Sequence, residues 1–110
     1  MRSRKILAMD STSRPLPDLL GDSEIGRALV PWSEKLQQED RAGALVEIQG
    51  LVRDHPVNRA ALIALAETHR QLGNIRAAAK ICRKVVRKYP EDRWCWGVIE
   101  EMRHCGQVAR

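Results

Sequence analysis

Eight pairs of matching or closely similar residues in this chain stand 34 positions apart: Asp40 and Asn74, Asn58 and Asp92, Pro56 and Pro90, Ala44 and Ala78, Val52 and Val86, Arg53 and Arg87, Arg59 and Arg93, and Glu67 and Glu101. No other feature restricts the fold as much. Asp40, Asn58, Asn74 and Asp92 each precede a segment of helical apolar period. Their short side-chain oxygens suit them to accept a free backbone N–H at a helix start. A period of this length, with two caps in each turn of the pattern, describes a stack of helix pairs. The spacing predicts helices over 24–38 (weakened by Pro31), 41–54, 59–72, 75–89 and 93–105, and no segment shows strand alternation. The expected fold is all-α, a short solenoid of antiparallel helix pairs with about two and a half repeats in residues 24–110.

Composition agrees with closely spaced helices. The 110 residues include three Trp, one Tyr and no Phe, so aliphatic and alanine packing must supply the core. Residues 1–23 contain Pro15, Pro17 and Gly21 without a helical period, and the expectation there is a mobile tail. Within it "PLPDLL" is apolar enough to dock on another surface. No apolar run approaches the ~20 residues of a membrane span, and Ile6 to Met9 is too short for the core of an export signal. Three cysteines without framework spacing suit a reducing compartment, so a cytoplasmic location is expected.

The central block resembles the tetratricopeptide repeat. That family's pattern of helix-pair residues maps onto Leu62, Leu65, Ala66 and His69, then Ala78 and Cys82, then Pro90, with Gly73 at the turn between the two helices. Ala66 and Ala78 are small where two helices cross closely, Gly73 can take a left-handed conformation, and Pro90 stops the second helix. The unit beginning at Arg93 fits through Trp96 and Ile99, with Glu100 at a position expected to be small and Gly106 one place early. The unit before fits mainly through Ala44, Ile48, Leu51 and Pro56, with Pro31 and Trp32 at core positions of a degenerate first helix. The resemblance implies a non-catalytic protein-interaction scaffold that binds a peptide or helix in a concave groove. It places Ala60, Ile63, Glu67 and Arg70, then Trp94, Gly97, Glu101 and His104, along that groove. Members that clamp a chaperone's terminal carboxylate use lysine and asparagine where this chain has Ile63 and Glu67. Small secretion-system chaperones are similar in size and repeat content.

Charge is concentrated. Residues 59–90 carry eight cations and one anion, against totals of 19 and 14. At ~100° per residue, Arg76, Lys80, Arg83, Lys84, Arg87 and Lys88 fall within roughly 140° of one helix face, opposite Ile75, Ala78, Ala79, Cys82, Val85, Val86 and Tyr89. Three roles fit such a stripe: a solvated outer face, a dock for an acidic protein, or a surface for nucleic acid or anionic lipid. A basic helical protein associated with nucleic acid through this stripe is the alternative function. No aromatic side chain interleaves with the cations for base stacking.

Chemistry-bearing sets are sparse. Cys82, Cys95, His104 and Cys105 lack the close pairing of zinc sites, and Cys82 falls on a core position. His69 is expected to be packed with one hydrogen bond. There is no nucleophile–base set, glycine-rich phosphate loop or paired carboxylates, so neither enzyme activity nor a metal or other cofactor is expected. The last helix begins "RWCWGVIEEM", where apolar residues surround too much of the circumference for one contact face. Trp96 and Ile99 are expected inward, with Trp94 and Val98 partly exposed. That helix either caps the stack or offers Trp94 as an anchor for a partner or a second copy of the chain.

Overall fold

The structure, a computed structural model, describes Leu19 and residues 23–108, with side chains as far as His104. The helices are α1 (Glu24–Ala28), α2 (Val30–Gln37), α3 (Arg41–Asp54), α4 (Arg59–Gln71), α5 (Ile75–Lys88) and α6 (Arg93–Val108), and no strand occurs among the described residues. Each of α2 to α5 packs on the next in chain order, and α1 touches both α2 and α4. Three of the four expected caps form. Asp40, Asn58 and Asp92 each accept a backbone N–H from the residue three positions on, at 2.9–3.0 Å. Asn74 holds the corresponding place without a side-chain bond.

The start of the stack differs from expectation. The segment 24–38 is two helices separated at Leu29, whose side chain is fully buried. Ser23 caps α1, and Pro31 lies in the first turn of α2, where its missing N–H has no helical partner to lose. Pro31 is exposed, whereas Trp32 enters the core as the repeat pattern requires.

Two turns share one geometry. At Gly73 (φ +82°), the amide of Asn74 bonds to His69 O at 2.8 Å and that of Gly73 to Arg70 O at 3.0 Å. This is the Schellman closure of α4, and the left-handed residue at its centre favours glycine. Thirty-four positions earlier, Glu39 (φ 60°) occupies the same point, with Asp40 N on Lys35 O and Glu39 N on Leu36 O. A glutamate thus carries a left-handed conformation that its Cβ disfavours.

The core is built largely from small residues. Ala44, Ala61, Ala64, Ala66, Ala78 and Ala79 have no exposed surface, and Ile48, Ile63, Val85, Cys82 and Cys95 fill the gaps between them. On α5 the inward row of Ala78, Ala79, Cys82, Val85 and Val86 is buried as the periodicity predicts, with Ile75 and Tyr89 half-buried at its ends. Leu19, within the segment expected to be a tail, is 8% exposed and belongs to the same cluster. The packed unit therefore includes it. Residues 1–18 and 20–22, with the rest of "PLPDLL", lie outside the described residues.

The last helix reverses the expected orientation of its tryptophans. Trp94 and Val98 are buried with Ile99, while Trp96 is 45% exposed and donates its Nε1–H to Pro90 O at 2.7 Å. Trp96 occupies the position of Leu62 one period on. Leu62 is buried on a helix that packs against the second helix of its own unit, and among the described residues no such helix follows α6. Trp94 instead joins the buried cluster that links the last helices. The backbone also remains helical through Gly106 to Val108, beyond the expected stop.

Candidate functional site

The residues assigned to a groove separate into two groups. Ile63 and Trp94 are core residues, and α1, whose Ile25 packs on that core, touches the helix that carries Ile63. Neither side chain is available at the surface to grip a ligand. Ala60, Gly97 and Arg70 are half-buried, and Glu101 and His104 are exposed. Glu67 is buried but satisfied: its carboxylate accepts Arg70 Nε at 3.0 Å and Gln71 Nε2 at 2.7 Å. Arg70 also reaches across to α6, with Nη1 3.6 Å from Glu101 Oε1. Burial alone would lower the Arg70 pKa, but the hydrogen bond and charge of Glu67, with those of Glu101, outweigh it and hold it above the ordinary value. The groove line is therefore an ion-paired brace between α4 and α6, with little apolar surface of its own.

Two further polar ties were not legible from the pattern. Trp32 Nε1 donates to Thr68 Oγ1 at 2.7 Å, and that hydroxyl donates to Ala64 O at 2.8 Å, which anchors α2 on α4. Asp92 uses one oxygen to cap α6 through Cys95 N; the other accepts a hydrogen bond from Arg59 Nε at 2.8 Å and lies 2.6 Å from Nη2 in the same ion pair. Arg59 also lies over the Tyr89 ring, 5.9 Å from its centroid. The recurrence of Arg59 at Arg93 marked the position, but only the fold shows that the arginine of one unit reaches the cap of the next.

Beside this tie opens a cavity of about 640 Å³. Ile25, Val57, Ala60 and Leu19 supply apolar walls, while His55 and Arg59 bring polar groups to its edge. Ala60 is the one predicted groove residue that lines it. Val57 is 67% exposed at its rim.

Cys82 and Cys95 are free and buried between α5 and α6. A hydrogen bond with the Cys82 sulfur, then burial, raise the Cys95 thiol well above the usual range and keep it protonated. Among the described residues no three His, Cys, Asp or Glu side chains are grouped to hold a metal ion. The side chain of Cys105 lies outside the described residues, and His104 is exposed. His69 departs from expectation, because its buried Nδ1 has no hydrogen-bond partner and burial lowers its pKa. The six cations Arg76, Lys80, Arg83, Lys84, Arg87 and Lys88 are all exposed. The outward side of α6 is mostly polar, with Glu100 paired to Arg103 and Trp96 turned back on Pro90. Trp94 cannot anchor a partner there, because it is buried.

No described helix is long and apolar enough to cross a membrane. No curated protein and no solved structure matches the chain. Residues 59–99, covering α4, α5 and the first half of α6, match the family model described as tetratricopeptide repeat. Repeats of this kind generally mediate protein–protein interaction and are non-catalytic modules. Taken with the 34-residue recurrence and helices packed in adjacent pairs, that match makes the described residues a short all-α helical repeat whose segment 59–99 is similar to the tetratricopeptide repeat.

Proposed function

We propose that the protein is a non-catalytic scaffold that takes up a short peptide segment, as a small adaptor or a secretion-type chaperone would. The observation that supports this most is the open cavity beside the Arg59–Asp92 tie. It combines an apolar patch with a larger polar surface from Ser23, Asp54, His55, Asn58 and Arg59, so a segment held there would be gripped through its main chain as well as through one apolar side chain. In this reading Ile25, Val57 and Ala60 receive an apolar side chain, and His55 and Asn58 meet main-chain groups of the peptide. Arg70 and Glu101 extend the contact along the groove. The two free, buried thiols fit a reducing cytoplasm as the working compartment.

Peptides selected from a random displayed library against the folded chain test the proposal. Binding of the selected peptides should be lost in Val57→Arg, because Val57 stands exposed at the rim and its replacement leaves the core intact. Peptides that bind Val57→Arg as well as the parent chain would show that the cavity is not the site.

A further inference from the structure

We infer that the outward face of α5 binds the phosphate backbone of a nucleic acid. Arg76, Lys80, Arg83, Lys84, Arg87 and Lys88 are all exposed on this helix. They span 12 residue steps, about 18 Å at 1.5 Å per residue. No acidic residue occurs in α5 to offset them. The ion pairs among the described residues use Lys35, Arg59, Arg70 and Arg103, and none uses a cation of this stripe. Elsewhere Arg59, Arg70 and Arg103 are paired with carboxylates, and Arg41, Arg53 and Arg93, which are not, stand apart at the two ends of α3 and the start of α6. Only on α5 are cations gathered in a row and, apart from Lys88 over the Tyr89 ring 5.9 Å away, left to repel one another. The helix dipole favours Arg87 and Lys88 in the last turn but opposes Arg76 in the first. Solvation of a helix end does not account for the row.

The surroundings select the occupant. A protein partner would need an apolar centre to bury, since exposed ion pairs alone contribute little. Among the described residues the large exposed hydrophobics are Val30, Val46, Val57, Leu72 and Trp96, none of them on α5. A helix that binds a lipid surface sinks its apolar side into the bilayer, but here that side is Ala78, Ala79, Cys82, Val85 and Val86, all buried in the core. A polyphosphate needs neither, because released counterions drive its binding. A row of about 18 Å faces about five phosphates of one duplex strand at ~3.4 Å each along the axis. The face carries no aromatic ring and no amide side chain to read bases, so the binding is blind to sequence.

Fluorescence anisotropy of a labelled 20-base-pair duplex, titrated with the chain across a series of salt concentrations, tests this. Five contacts predict a log–log salt slope of about −4.5, or an affinity loss of about 500-fold between 50 and 200 mM. The triple variant Arg83→Glu, Lys84→Glu, Arg87→Glu should remain helical by circular dichroism, lose at least tenfold in affinity and show a shallower slope. The variant Lys35→Glu, Arg41→Glu, Arg103→Glu makes the same charge change on other helices and should bind nearly as the parent does. Equal losses in the two triples would mean that net charge, not this face, drives binding. Phosphatidylserine vesicles or polyglutamate held as tightly as the duplex would overturn the choice of nucleic acid.

Discussion

Asp92→Ala is the most informative single change to the fold, because one carboxylate does two separable jobs. Its Oδ1 caps α6, and loss of such a cap costs about 1 kcal/mol. Its Oδ2 accepts one charged hydrogen bond, from Arg59 Nε, and forms an ion pair with Nη2. Buried in full such a charged bond would be worth about 1.5–3 kcal/mol, but the Arg59 side chain is 39% exposed. Rehydration of the guanidinium reduces the pair together to about 1–2 kcal/mol. The sum is a loss of about 2–3 kcal/mol from a domain of this size, whose whole stability is about 5–15 kcal/mol. Asp92→Asn keeps an oxygen for the cap and loses only the charge, so it should cost about 1–2 kcal/mol. Urea unfolding followed by far-ultraviolet circular dichroism measures both. With a slope of about 1.5 kcal/mol per molar, the Ala variant should shift the midpoint down by about 1.3–2 M and the Asn variant by about 0.7–1.3 M. A shift below about 0.3 M for Asp92→Ala would refute the account of Asp92 as the joint between units. Equal shifts in the two variants would assign the whole effect to Arg59 and none to the cap.

Ile63→Arg should unfold the chain or cost at least about 3 kcal/mol in the same assay, because Ile63 has no exposed surface; a folded variant with only its ligand binding changed would contradict the burial. Glu39→Gly should stabilise by about 0.5–1 kcal/mol and Gly73→Ala destabilise by about 1 kcal/mol, opposite signs at one position of the repeat. Equal signs in thermal melts would show that the left-handed strain at these turns is not what decides. Burial holds the folded pKa of His69 below the ordinary histidine value of 6.5, so the unfolded chain binds the proton first as pH falls. Its contribution is intact above that value and is lost as pH falls through 6.5 toward the lower folded pKa. Stability of His69→Phe should fall less steeply than the parent's across this window; parallel curves would refute it.

The fold was legible because its signals are local and recur. Caps at Asp40, Asn58 and Asp92, the stop at Pro90 and the turn at Gly73 each act within a few residues, and the 34-residue period multiplied them. The basic face was legible for the same reason, since helical period alone sorts α5 into two sides. The groove was not. Ile63 is buried on α4, which α1 touches, and α1 belongs to a segment whose broken pattern gave no cap spacing to read. The exchange of Trp94 and Trp96 has a related cause. The family pattern assumes a second helix in each unit, and without one beside α6 among the described residues the position of Leu62 becomes a surface position in Trp96. The Glu39 turn could have been found by subtracting 34 from Gly73, which requires trusting the period over the residue type. The cavity joins Ile25, Val57 and Tyr89 from distant parts of the chain, and no pattern in one dimension brings those together.

Six alanines without exposed surface have a consequence for how such a chain can change over generations. At those seams almost any replacement adds volume, and overpacking a tight interior costs about 1–3 kcal/mol. The seams are therefore close to fixed by sterics alone. The cations of α5 and the rim at Val57 carry no such constraint, because they contact little that holds the helices together. Mutation can rewrite what the surface recognises while the alanine seams keep the helices in place, so the binding surface can diverge faster than the framework beneath it.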